Sequence, residues 1–147
     1  MNILIDTNVF IMREADRVIL SDLTALENIL KKNKASIIIH PGSVIEVDQY
    51  DNPERKRIAL SKIKAYPKLE NPPDYTKDSS FLEIISKNTS TGKVDNSLLY
   101  AVCKNAVDFL ITQDRGMLIQ ANAIGIKQRV LSIEEALSFL MIPSNLV

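Results

Sequence analysis

The sequence predicts an α/β fold: a three-layer α/β/α sandwich around a central parallel β-sheet. Short apolar runs at 2–5, 35–39, 109–112 and 130–131 end at breakers or polar residues and read as strands buried on both faces. Helical patterns separate these runs, and strands alternating with helices imply parallel crossover connections. At 147 residues the chain suits one domain spanning 1–147, able to bury a core without staples.

The first strand, Asn2–Ile5, ends at Asp6. Leu23, Leu26, Ile29 and Leu30 then form a helical stripe, with Ser21 as the expected cap. The second strand, Ala35–Ile39, is closed by His40-Pro41-Gly42, and Ser43 is the expected cap of a helix carrying Val44, Ile45 and Val47. Asn52-Pro53 is a strong start signal for a helix using Ile58, Leu60 and Ile63. The stretch from Tyr66 to Ser80, with Pro67, Pro72 and Pro73, reads as a linker or a substrate-facing loop. Phe81, Leu82, Ile84 and Ile85 mark a short helix, and Asp95 opens one on Leu98, Leu99, Val102 and Cys103. After the third strand, Phe109–Thr112, a helix runs from about Gly116 to Gly125. Val130-Leu131 is the fourth strand, and Ser132-Ile133-Glu134-Glu135 is a capping box for a last helix on Ala136, Leu137 and Leu140.

Composition narrows the function classes. Lys+Arg and Asp+Glu balance at 18 each, so no global basic field is available to grip nucleic acid. Cys103 is the only cysteine, which rules out an intramolecular disulfide; in its apolar helical setting it reads as an inert core thiol. His40 is the only histidine, so a histidine pair working through a ribose 2′-OH is not available. Asp6 interrupts the first apolar run and no run reaches transmembrane length, so a cytoplasmic protein without a membrane partner is expected. The apolar ending Met141–Val147 suggests either a tail that packs in a homodimer or continuation into a longer protein with this domain at its N-terminus.

Four acids carry the chemistry: Asp6, Glu46, Asp95 and Asp114. Asp6 and Asp114 follow strands, Asp95 opens a helix, and Glu46 lies between Ile45 and Val47 on the helix after the second strand. With strand order 2-1-3-4 the point where strand order reverses lies between the first and third strands, where ligands of open parallel sheets bind. All four acids can then reach one cleft. Each also has a structural reading: Asp6, Asp95 and Asp114 as helix caps, Glu46 as a charge on a solvated face. A carboxylate losing solvation needs a partner, and four converging carboxylates call for a hard divalent cation.

In these stretches the chain resembles the PIN domain, the metal-dependent ribonuclease fold that includes VapC-type toxins. Ile3-Leu4-Ile5-Asp6-Thr7-Asn8 resembles the family's opening strand and D-[ST]-[NS] motif. Ser43-Val44-Ile45-Glu46 resembles the helix bearing the second acid, Asp95-Asn96-Ser97-Leu98-Leu99 the helix bearing the third, and Leu110-Ile111-Thr112-Gln113-Asp114 the stretch supplying the last. The resemblance implies an endoribonuclease that hydrolyses single-stranded RNA. Asp6, Asp95 and Asp114 would be ligands to Mg²⁺ or Mn²⁺, with Glu46 a further ligand or water-holder. It raises a toxin with a protein antitoxin as one form of the activity. Asn8 and Thr112 are candidates to orient the carboxylates by hydrogen bonds.

Lys93 and Arg115 flank two of the acids and are placed to meet phosphate, while Arg55, Lys56 and Arg57 could follow an RNA backbone or simply form a solvated helix face. Two other enzyme classes fit less well. Haloacid-dehalogenase-like phosphatases need a second Asp where this chain has Asn8, and a receiver-type domain needs an acidic pair and a late Lys that are not evident. The rival outside enzymology is a PIN-like nucleic-acid-binding or scaffold module without catalytic activity.

Overall fold

A computed structural model describes residues 1–10, 17–88 and 91–141, with side chains for all of these except 10 and 17–23. Four strands, β1 (Asn2–Ile5), β2 (Ser36–Ile38), β3 (Phe109–Ile111) and β4 (Val130–Leu131), form one parallel sheet in the order β2-β1-β3-β4. The expected α/β/α architecture, strand order and switch point are all present. Side-chain alternation along the strands divides the core between the two faces of the sheet. Ile3, Ile5, Ile37, Ile111 and Leu131 face one apolar cluster, with Leu26, Leu30, Ala136 and Leu140 against them. Leu4, Leu110 and Val130 face the other, with Leu98, Leu99, Met117 and Ala121.

The described helices are α1 (Arg17–Lys32), α2 (Pro41–Asp48), α3 (Pro53–Ile63), α4 (Ser79–Ser86), α5 (Lys93–Cys103), α6 (Arg115–Ile124) and α7 (Ile133–Leu140). Asn52 caps α3 as expected, its Oδ1 accepting the N–H groups of Glu54 and Arg55 at 3.0 and 3.1 Å. Ser132 and Glu135 close a reciprocal capping box on α7. Gly125 ends α6 at φ +90°, a left-handed cap that favours glycine.

Four local expectations need correction. Helix α1 begins at Arg17, a turn before Ser21, so Ser21 lies inside it; the Leu23 side chain and the apolar ending after Met141 fall outside the described residues. Ser43 does not cap α2. Pro41 occupies its first turn and His40 Nδ1 accepts the Gly42 N–H at 2.9 Å, leaving Ser43 buried one turn in. Helix α5 begins at Lys93 with Gly92 as cap residue, which puts Asp95 in the first turn rather than before it. Ile45 and Ile58 face solvent, 63% and 38% exposed, while α3 buries Ala59 and Ile63.

The irregular stretch is a linker with partial order. Lys68 bridges to Ile39 in parallel, and Ile39 N–H donates to Pro67 O and Leu69 N–H to Ile39 O, at 3.0 and 2.9 Å, shielding part of the β2 edge. Cys103 ends α5 half-buried against the second cluster.

Candidate metal centre

Hydrogen bonds beyond the strands set the floor of the site. Asp6 N–H donates to Ile111 O and Thr112 N–H to Leu131 O, both at 3.0 Å, so the residues after β1 and β3 leave the sheet side by side. Thr112, fully buried, joins two of the acids: its Oγ1 donates to Asp6 Oδ2 at 2.9 Å and accepts the Asp114 N–H at 3.1 Å. Asp114 caps α6, its Oδ1 accepting the Met117 N–H at 3.1 Å. Asp95 reaches back from the first turn of α5 to accept the Gly92 N–H at 3.3 Å. The capping readings of Asp95 and Asp114 are therefore real.

The acids feel one another. Asp6 is 4% exposed, and burial pushes its carboxyl from 3.8 up to about 7 against the opposing hydrogen bonds of Thr112 and Asn8; the charges of Asp95 and Glu46 push the same way. Burial raises Glu46 too, followed by the charges of Asp95 and Asp114. Asp95 is raised by burial and by Asp114, against its bond from Gly92. The residues after β1 and β3 and the helices α2 and α5 thus bring the four carboxylates near enough for the charges of Glu46, Asp95 and Asp114 to be felt by their neighbours. Among the described residues no Lys, Arg or His forms an ion pair with any of them.

The donor chemistry fits a hard cation. The acids offer oxygen alone, and two further buried oxygens next to them in the chain, Thr7 Oγ1 and Asn8 Oδ1, lack a hydrogen-bond partner among the described residues. Ser43 Oγ and His40 Nε2, at the start of the helix bearing Glu46, are likewise buried and unpartnered. Burial holds His40 below the usual histidine range. Yet no three of the described Asp, Glu, His or Cys side chains lie within one ion's coordination shell. The four acids are near enough for their charges to be felt without forming a closed ligand set.

Other expected residues divide. Asn8 meets Asp6 through its backbone N–H, at a long 3.5 Å, rather than through its side chain. Lys93 and Arg115 are exposed beside Asp95 and Asp114, and neither forms an ion pair among the described residues. Lys56 and Arg57 are taken by Asp48 and Glu54, at 3.3 and 2.5 Å. Asn96, buried one residue past Asp95, ends a polar chain. Its Oδ1 accepts from Thr91 Oγ1 at 2.7 Å, Gln120 Nε2 donates to that same hydroxyl at 3.1 Å, and Asn88 Nδ2 donates to Gln120 Oε1 at 3.2 Å. This chain ties α6 to the approach to α5 and so steadies Asp95.

Sequence reasoning passed over Tyr50. Its phenol is raised by burial and by the charges of Glu46 and Asp6, and it faces the Thr7 hydroxyl without a well-formed hydrogen bond. An aromatic in the polar stretch Asp48-Gln49-Tyr50-Asp51-Asn52, just past Glu46, was the available signal. A separate, mainly apolar cavity of about 330 Å³ lies between α1 and the β2 edge. It carries a single carboxylate, Glu27, which accepts from Tyr66 Oη at 2.9 Å, and so lacks the acid cluster's chemistry.

Fold and site thus define an open parallel α/β sandwich with an acidic centre at its switch point. Compared with known families, characterised proteins and solved structures, the chain matches no family model, no characterised protein and no solved structure.

Proposed function

We propose that this chain is a Mg²⁺- or Mn²⁺-dependent endoribonuclease that hydrolyses phosphodiester bonds of single-stranded RNA. One observation carries the reading: at the sheet's switch point burial and neighbouring carboxylate charges raise Asp6, Glu46 and Asp95, with Asp114 among the charges acting on the last two, and none of the four acids forms an ion pair among the described residues. The PIN resemblance of the four acidic segments supports it. When bound, the cation polarises the phosphodiester, lowers the pKa of an attacking water and stabilises the departing oxygen.

The chain's own residues do the rest. Asp6, Asp95 and Asp114 would hold the cation, and Glu46, on a longer side chain, would serve as a further ligand or hold the water. Thr112 fixes Asp6 through its hydroxyl and positions the Asp114 backbone. Lys93 and Arg115 receive the phosphate backbone. Water attack breaks the P–O3′ bond, leaving a 5′-phosphate and a 3′-hydroxyl. A toxin held by a protein antitoxin and working as a homodimer is the form the PIN resemblance suggests, with a processing nuclease as the other.

That no three of the described acidic, histidine or cysteine side chains form an ion-holding group favours a second reading, a nucleic-acid-binding or scaffold module without catalysis. Single-variant rates on a single-stranded RNA separate the two. Asp6→Asn, Asp95→Asn and Asp114→Asn should each remove nearly all activity, while Glu46→Gln leaves more. Near-parental turnover in Asp95→Asn would reduce Asp95 to a helix cap, and inactivity of the parent in either cation would leave the scaffold reading.

A further inference from the structure

Arg55, Lys56 and Arg57 are not equivalent. Lys56 and Arg57 are occupied by Asp48 and Glu54, whereas exposed Arg55 forms no ion pair among the described residues. It lines an open cleft of about 300 Å³ with Tyr50, Asp51 and Asn52, where α2 turns into α3. Tyr50 belongs to both places. Tyr50 packs on the first core cluster and lines this cleft beside Arg55, and its phenol feels the charges of Glu46 and Asp6. Asn52 already occupies the first N–H groups of α3, so the guanidinium is the cleft's anion-binding group. Single-stranded RNA is characteristically held by aromatic rings that stack on unpaired bases and by arginines that take the backbone. A base inside a duplex has no free face to offer.

We propose that the Tyr50–Arg55 cleft is a nucleotide subsite beside the acidic centre, with Arg55 on a backbone phosphate and the Tyr50 ring against an unpaired base. The inference rests on the ribonuclease reading for its substrate class, and its test reads binding rather than cleavage. It assigns the single-strand preference to this ring and the anion contact to Arg55 alone among its basic neighbours.

The probe is a fluorescein-labelled single-stranded RNA of mixed sequence, followed by anisotropy in excess chelator over a range of salt. Arg55→Ala should weaken binding about tenfold and lower the log-log salt slope by about one, as expected for one phosphate contact. Tyr50→Leu should weaken binding roughly tenfold, within the range of base–aromatic stacking. Tyr50→Phe, which keeps the ring, should bind like the parent, and so should Arg57→Ala. Annealing the probe to its complement should abolish the Tyr50 dependence. If Arg55→Ala, an exposed change that spares the fold, matches Arg57→Ala, the subsite is overturned, and parental cleavage in Mg²⁺ would leave the nuclease reading standing. If binding depends on Tyr50 and Arg55 but the parent cleaves in neither cation, the subsite stands and catalysis falls. A parent that binds no RNA in chelator overturns the subsite, and cleavage in Mg²⁺ then decides the nuclease reading on its own.

Discussion

Replacing Asp6 by Asn should make the protein more stable in chelator, and only above acidic pH. Asp6 is 4% exposed, so solvent screening does little for it. A carboxyl moved from 3.8 to about 7 costs the fold ~4 kcal/mol once ionised, at about 1.4 kcal/mol per tenfold change in proton affinity. Asparagine keeps an acceptor for the Thr112 hydroxyl but buries an unpartnered amide N–H₂, which takes back ~1–3 kcal/mol. The net gain is ~1–3 kcal/mol, or roughly 2–12 °C in Tm for a domain of this size. The sign follows from proton binding. The folded parent holds its proton to higher pH than the unfolded chain, so parent stability falls as pH rises from 3.8 to about 7 and levels off beyond. The advantage of Asp6→Asn should grow over that window and vanish or reverse at its acid end. Urea melts in chelator at a series of pH values measure it. Saturating Mn²⁺ should then stabilise the parent, by ~2.7 kcal/mol at a hundredfold excess over Kd, and the variant far less. A variant less stable than the parent at pH 8, or a difference independent of pH, would refute the reasoning.

Two further outcomes are expected. Thr112→Val should cost ~1–3 kcal/mol by leaving Asp6 Oδ2 and the Asp114 N–H without the shared hydroxyl, while Thr112→Ser stays near the parent, as denaturant midpoints will show. His40 lies below its ordinary 6.5 when folded, so stability present above that pH is lost as acid protonates the imidazole and removes the acceptor of the Gly42 N–H. Asn is a good cap residue, so His40→Asn should flatten that acid limb in the same melts.

Much of this architecture was legible in the residues because it is set locally or by periodicity. Apolar runs bounded by breakers located the strands, and Asn52-Pro53 and the Ser132–Glu135 box marked their helices within a residue. Caps that depend on unusual donors were harder to read. His40 is a rare cap residue made competent by Pro41 behind it, and Gly92 has no side chain to advertise the start of α5, so Asp95, the first side chain after Gly92 able to cap, drew the boundary. Of the site, the four acids and Thr112 could be named from their places at strand and helix ends. Tyr50 could not, because its meeting with Thr7, Glu46 and Asp6 depends on how α2 and α3 fold back over the end of β1. The same holds for the unequal Arg55, Lys56 and Arg57, adjacent in sequence but separated by which carboxylates the fold sets beside them.

The central claim, that the acid cluster is a divalent-metal centre for RNA hydrolysis, is tested most directly by the ends it leaves. Single-stranded RNA incubated with the purified protein in Mg²⁺ or Mn²⁺ should yield fragments carrying 5′-phosphate and 3′-hydroxyl ends, and excess chelator should stop the reaction. Fragments ending in 2′,3′-cyclic phosphate, or cleavage undiminished in chelator, would contradict it.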